Sequence, residues 1–359
     1  MHTSLVLDLT TSAIDLTWRS SALERQAQLT KPPGSLGRLE EVAVQLATVQ
    51  RTHQPRVDHA HTLIFAADHP VARHGTSAYP VEVTAAMVGN FLTGGAASSV
   101  LAHTHDIPLT VIDVGVDTPY AQPQSTPERY QRYQLRGGDL SEEPALDLED
   151  FYAAVKIGRQ CVAALDPELN LLILGEMGIG NTTPSAAIAC ALLSGDVDEL
   201  VGRGTGIDED ARVKKQEVIT RSLKRWRAAQ ASGAPQVAEV LRHLGGREIV
   251  AIFGAMLESV QRGVAILVDG FIISAAALAL VTMYPEARPF LLFSHRSRER
   301  GHRRLLEAMD ALPLLELDLR LGEASGALTA YPLVRAACAL HCQMATFAEA
   351  AVPDRDDAL

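Results

Sequence analysis

Residues 169–174 are a largely apolar run, and the chain then reads Gly175-Glu176-Met177-Gly178-Ile179-Gly180-Asn181-Thr182-Thr183-Pro184 before a stretch of small residues. A buried strand, a glycine-built turn and a helix start are the elements that accommodate this succession. Without Cβ atoms such a turn brings backbone N–H groups close to a ligand, and the helix dipole adds partial positive charge at the same point. The segment predicts an anion cradle in which a phosphorylated substrate sits.

The rest of the chain repeats that logic. Short apolar segments at 62–66, 109–114, 169–174, 264–268 and 290–293 read as buried parallel strands, and each runs into a polar or glycine-bearing turn. They alternate with alanine-rich stretches at 83–103, 148–165, 208–232 and 274–283, the pattern of right-handed βαβ crossovers. The expected class is α/β, a doubly wound, mostly parallel sheet. A hydrophobic fraction of 47% with only 5% aromatics suits close helix-on-sheet packing. In such sheets ligands bind beyond the carboxyl ends of the strands. Asp68-His69, Asp113, Glu176, Asp269 and Ser294-His295 follow strand after strand there, so they are expected to converge on one cleft.

Residues 31–37, Lys-Pro-Pro-Gly-Ser-Leu-Gly, separate an N-terminal helical piece from the main body of the chain, and 331–350 reads as a helix able to pack against it. The expected division is a small helical subdomain from both chain ends, 1–35 plus 331–359, and a large α/β catalytic domain over 36–330. Between 122 and 148 the chain turns polar with little periodicity, which predicts a long surface excursion.

Charge narrows the partners. A net charge of −11 and a pI near 5.5 give no long-range attraction to nucleic acid or an anionic membrane, so small-molecule substrates fit better than polymers. Cys161, Cys190, Cys338 and Cys342 form no CxxC pair and read as packed, reduced thiols, which suits the cytoplasm. The first 18 residues lack a signal-peptide pattern, and Asp269-Gly270 divides the apolar run 264–284 into a strand and a helix rather than a membrane span.

Two further glycine clusters carry chemistry. Gly202-Arg203-Gly204-Thr205-Gly206 precedes a helix with an acidic start, 208–210, and with Lys214 and Lys215 in its body, and a lysine there can reach back to an anion. In Arg320-Leu321-Gly322-Glu323-Ala324-Ser325-Gly326-Ala327 a carboxylate sits inside the loop, and its apolar flank would raise its pKa, making Glu323 the candidate general base. A helix-start glutamate interacting with the dipole is the plain alternative. His59, His61, His103 and His105 have spacings that metal hydrolases use, but His59 and His61 precede their strand, at the end away from the cleft, and no metal is expected. The basic run 296–304 reads as a solvated helix face, with Ser294 the better ligand contact.

These blocks together resemble a known family. Asp68-His69, the 75–84 segment Gly-Thr-Ser-Ala-Tyr-Pro-Val-Glu-Val-Thr, Asn90-Phe91-Leu92-Thr93-Gly94-Gly95-Ala96-Ala97, the Gly175–Thr183 turn, Val268-Asp269-Gly270-Phe271, Ser294-His295-Arg296-Ser297 and Arg320-Leu321-Gly322-Glu323 are similar to the nicotinate-nucleotide:5,6-dimethylbenzimidazole phosphoribosyltransferases, the CobT family. The resemblance runs in family order over about residues 31–335. It implies a Rossmann-like large domain, a homodimer whose partner helps close the site, and no cofactor. The implied reaction moves 5-phosphoribose from nicotinate mononucleotide to an aromatic base, giving α-ribazole 5′-phosphate and nicotinate in assembly of the cobalamin nucleotide loop. The resemblance casts Glu323 and Glu176 as catalytic. Lys215, Gly178, Gly180, Asn181, Thr182, Gly204, Thr205, Ser294 and Gly322 would hold phosphate and ribose, while Ser77, Tyr79, Ala86, Met177 and Leu321 would line the acceptor-base pocket. Ala86 stands where the family usually has glutamine, which implies a wider and less polar acceptor pocket. The rival readings are a nucleotide sensor without use for Glu323, and a metal-dependent phosphohydrolase using Asp68-His69, Asp113 and Asp269. A dinucleotide dehydrogenase is weaker still, because GxGxxG after a first strand is missing.

Overall fold

The computed structural model describes residues 7–10, 14–118, 129–202, 204, 206–230 and 236–353. Six strands, β1 (Ala60–Ala67), β2 (Leu109–Gly115), β3 (Tyr130–Arg132), β4 (Leu171–Met177), β5 (Ala265–Val268) and β6 (Leu291–Phe293), form one sheet in the order β3-β2-β1-β4-β5-β6. Every neighbouring pair is parallel, so the doubly wound α/β fold expected from the sequence is present. Chain direction across the sheet reverses between β1 and β4, the switch point at which such sheets open a crevice.

β2 and β4 are buried at every position, which is why neither shows the apolar–polar alternation of a half-exposed strand. Helix Phe271–Met283 packs on both Thr182–Leu193 and Arg247–Gln261 in one group, and Ser325–Gln343 packs on Arg38–Gln50 and Ala97–Thr104 in another. Helix Arg247–Gln261 also lies along Leu148–Ala163 at very short range. A Cβ on Gly158 would run into the backbone carbonyl of Ala251, so glycine is required for that approach.

The structure corrects two expected elements. The apolar stretch over 83–103 is not one helix: Gly94, in the left-handed conformation, ends Val83–Thr93, and Ala97–Thr104 starts afresh. Although 83–104 taken together has the length and hydropathy of a membrane span, it is broken there and is partly buried in the fold. Nor is the described part of the 122–148 excursion only surface. It contributes edge strand β3, Tyr130 donates its hydroxyl to Asp113 at 2.7 Å, and Leu140, Ala145 and Leu146 are buried in the core. The short, polar β3 is anchored by pairing and by that one aromatic, which leaves almost no periodic signal to read.

At the chain ends, the helix Leu16–Gln28 meets the C-terminal segment. Gln26 Nε2 lies 2.8 Å from His341 Nδ1, Arg25 donates to the carbonyl of Met344 at 2.8 Å, and Leu29 bridges Thr346. The four cysteines are free thiols, and Cys161, Cys190 and Cys338 are buried.

Candidate active site

At the carboxyl end of β4 the glycine-rich turn begins with Glu176. Gly175 just before it has no side chain because a Cβ there would stand 2.8 Å from Ala324, so the 322–325 turn rests directly on the strand. That turn is left-handed at three consecutive residues, Gly322 (φ 84°), Glu323 (φ 63°) and Ala324 (φ 63°). For the two non-glycine residues the conformation is strained, at about 1–2 kcal/mol each. Gly322 cannot be replaced easily, since its added Cβ would run into Oε1 of Glu176. The result is a carboxylate contact across the fold: the backbone N–H of Glu323 donates to Glu176 Oε1 at 3.3 Å, and the Asn181 amide donates to Glu176 Oε2.

Asp269 comes from the end of β5 to the same place. Its Oδ1 accepts from the backbone N–H of Ala327 at 2.9 Å, in the first turn of helix Ser325–Gln343, while its buried Oδ2 has no hydrogen-bond partner among the described residues. His295, after β6, lies with Nδ1 3.0 Å from Ser294 Oγ and 3.9 Å from Asp269 Oδ1. Burial, with the Asp269 charge added, pushes the Glu323 carboxyl up to about 7. Burial followed by Asp269 also raises Glu176 well above the ordinary carboxylate range, against the opposing hydrogen bond from Glu323.

The other end of the cleft is cationic. Lys215, on helix Glu209–Ala229, is 1% exposed, and its Nζ donates to Thr182 Oγ1 at 2.7 Å, at the first residue of helix Thr182–Leu193. Among the described residues no carboxylate lies within ion-pair distance of it, and burial lowers its pKa to about 8 despite the charge of Glu299. Gly204 closes over this pair: a Cβ on it would be 2.8 Å from Thr182 Oγ1 and 3.3 Å from Lys215 Nζ. A buried ammonium beside a helix N-terminus, with one neutral partner, is suited to an incoming anion.

Between these ends lies a cleft of about 450 Å³. Of the residues singled out from the sequence, Glu176, Met177, Gly178, Asn181, Thr182, Gly204, Gly322 and Glu323 line it, with Tyr79 and Leu321, both more than half exposed, at its rim. Lys215 sits behind the wall formed by Thr182 and Gly204. Others are placed elsewhere. Ser294 is fully buried against His295, and Gly180 faces Ala72, where an added Cβ would be 3.1 Å away. Ser77 does not line the cleft, and its hydroxyl accepts from the Tyr79 N–H at 3.3 Å. Ala86 is exposed and does not line the cleft, while Val83, Met87 and Asn90 on the same helix do. Thr205 lies outside the described residues.

The expected convergence of strand-end residues is only partial. Glu176, Asp269 and His295 meet in the cleft, but His69 pairs with Glu248 at 2.7 Å, Asp68 accepts from Asp117 N–H at 2.8 Å, and Asp113 takes the Tyr130 hydroxyl. Asp68, Asp113 and Asp269 of the phosphohydrolase reading form no metal-ligand group among the described residues. His74, Asp139 and Glu142 do gather, yet Arg73 already supplies a cation to both carboxylates, at 3.1 and 2.6 Å. Asn90, Phe271, Glu299 and Arg320, given no site role from the sequence, also line the cleft, together with Asp269 and His295, expected there only as strand-end residues. For Asp269 and His295 the strand-end position was a usable signal. Asn90 and Arg320 stand in blocks singled out from the sequence, the Asn90–Ala97 segment and the Arg320–Ala327 glycine loop, without a role of their own.

A phosphoribosyltransferase family model matches residues 11–352. A nicotinate-nucleotide–dimethylbenzimidazole phosphoribosyltransferase of a Bradyrhizobium species is 52% identical over 339 residues, covering 94% of this chain and 95% of its own. The protein of that name from Pseudomonas syringae pv. syringae is 50% identical, with 96% of each chain covered. The crystal structure of CobT from Thermus thermophilus superposes with a TM-score of 0.87 at 42% identity, over 94% of this chain and 99% of that one. With a family match over nearly the whole length and relatives at this identity, the chain belongs to the phosphoribosyltransferase family of these enzymes.

Proposed function

We propose that this protein transfers 5-phosphoribose from nicotinate mononucleotide to 5,6-dimethylbenzimidazole or a related lower-ligand base, releasing nicotinate and α-ribazole 5′-phosphate. The observation that carries the reading is one cleft with a carboxylate poised near neutrality, Glu323, at one end and a buried, otherwise unneutralised Lys215 behind a helix N-terminus at the other.

The donor phosphate binds at the Thr182 helix start, with Gly178, Gly204 and Lys215 around it, and the ribose spans toward Glu176. Nicotinate departs from a pyridinium, so the C1′–N bond breaks with its electron pair returning to the ring nitrogen and no strong acid is needed there. As that bond breaks, one acceptor nitrogen attacks C1′ from the opposite face, and Glu323 takes the proton from the other. Attack from that face turns a β-linked donor into an α-linked product. The Glu176–Asn181 pair and Asp269 supply negative potential where the ribose gains positive charge. Tyr79, Met177 and Leu321, with Val83 and Met87 beside them, form the acceptor end.

The enzyme works in the cytoplasm as a homodimer, and residues 1–35 and 331–359 form its small subdomain beside the 36–330 catalytic domain. The test is a product assay with nicotinate mononucleotide and dimethylbenzimidazole, benzimidazole, adenine or p-cresol, following nicotinate release and the mass of the new nucleotide. Product with any acceptor supports the transfer. Donor binding without product for every acceptor would overturn it in favour of a nucleotide sensor.

A further inference from the structure

Arg320 lines the cleft, three residues before Glu323, and is exposed. Among the described residues its guanidinium has neither a hydrogen-bond nor an ion-pair partner, whereas the nearby arginines are engaged, Arg296 with Glu316 and Arg298 with Asp318. It lies beside Gly206. A Cβ on Gly206 would be 3.5 Å from Arg320 Nη1, while the equivalent atom on Gly204 would be 3.3 Å from Lys215 Nζ. The two cations thus approach glycines two positions apart in the chain, one buried behind the cleft wall and one free at its rim.

Charge balance gives this pairing a purpose. A phosphate monoester carries about −1.5 to −2 at pH 7. The cleft it must enter is lined by Glu176, Asp269, Glu299 and Glu323, and among its described lining residues Arg320 is the one arginine or lysine. Lys215 alone supplies a single positive charge. A guanidinium presents a planar fork that matches two phosphate oxygens, which an ammonium does not.

We propose that Arg320 is the second, outer ligand of the donor phosphate, closing on it from the rim opposite Lys215. This rests on the phosphoribosyl-transfer reading above and deepens it. Because Arg320, Gly322 and Glu323 share one short loop, a phosphate held by Arg320 also pins the turn that carries the base. Donor binding thereby readies Glu323 for the acceptor.

The test uses the full-length protein and the variants Arg320→Gln and Arg320→Lys. Since the side chain is exposed and makes no hydrogen bond or ion pair among the described residues, both variants are expected to fold with an unchanged melting temperature. Titration calorimetry with ribose 5-phosphate and with inorganic phosphate should show affinity falling roughly ten- to a hundredfold in Arg320→Gln, and by less in Arg320→Lys, the range for a charge-assisted hydrogen bond. Steady-state kinetics should show the same rise in KM for nicotinate mononucleotide with the acceptor KM within about threefold of wild type. Unchanged phosphate affinity in Arg320→Gln would overturn the proposal, as would an equal rise in both KM values. Should the wild type transfer no phosphoribose at all, the calorimetry still decides the role of Arg320, and only the reaction assignment fails.

Discussion

The two ends of the cleft bury charge in opposite senses. At the acidic end, Glu176, Asp269 and Glu323 crowd together away from water, and the response is a rise in carboxyl pKa that brings Glu323 to about 7. At the phosphate end Lys215 is equally buried, and its response is a fall to about 8. Desolvation acts on both, and the sign of the shift follows the sign of the charge. The acidic end is thereby able to accept a proton at neutral pH. The cationic end is left short of a counter-charge that an anionic substrate restores. A fold that merely sought stability would have neutralised each end within the protein.

The largest effect expected from this contrast is in Glu323→Gln, which should lower kcat by roughly 10² to 10⁴ while donor affinity stays close to wild type. Equal loss of binding and turnover, measured by calorimetry and initial rates, would break the division of labour between the ends. Lys215→Met comes next. Donor KM should rise on the order of tenfold or more, with kcat less affected, and the melting temperature at pH 7 should equal or exceed that of wild type, because a buried charge has been replaced by an apolar chain.

Thermal melts against pH sharpen the comparison. Glu323 has a folded pKa of about 7 against an ordinary 4.5, so its folded form binds more protons in that interval and wild-type stability falls as pH rises from 4.5 to 7. The stability advantage of Glu323→Gln should therefore open over that window. Lys215, at about 8 against 10.5, binds fewer protons when folded, so its penalty is full below pH 8 and is relieved towards 10.5. The advantage of Lys215→Met should close over that second window. For activity, kcat/KM should climb through pH 7 as Glu323 ionises and decline above pH 8 as Lys215 loses its proton; a profile flat across both would remove the assigned roles.

The smallest expected effect is at Ala86. Because this residue is exposed and outside the cleft, Ala86→Gln should change the KM for dimethylbenzimidazole by no more than about threefold. A larger change would mean that the acceptor end extends to that face of the helix.

Much of this protein is legible in its residues, and the legible parts share a cause. The strands of the sheet centre are short apolar runs bounded by turn residues, and the Gly175-to-Thr183 turn must be compact whatever surrounds it, so local chemistry alone announces them. Strand β3 leaves no such trace because it is three residues long and held by a partner strand. The 83–104 break at Gly94 is signalled by a Gly-Gly pair that the apolar pattern outweighs. Among site residues, those inside glycine turns are readable as residues at hand, whereas the use made of Asn90 and Arg320 depends on neighbours far away in the chain.

By itself, then, the sequence determined the α/β class, the glycine turns and which acid, lysine and loop residues are at hand, since these depend on local conformational preference and on burial of apolar runs. Tertiary structure decided which of them act together. Glu176 and Glu323 are 147 residues apart and meet only because Gly175 and Gly322 let two turns touch. Ser294 faces a histidine instead of the cleft, and Lys215 lost its water only when a helix start and a glycine turn closed over it. Desolvation and contact are properties of the packed whole, and no stretch of sequence carries them alone.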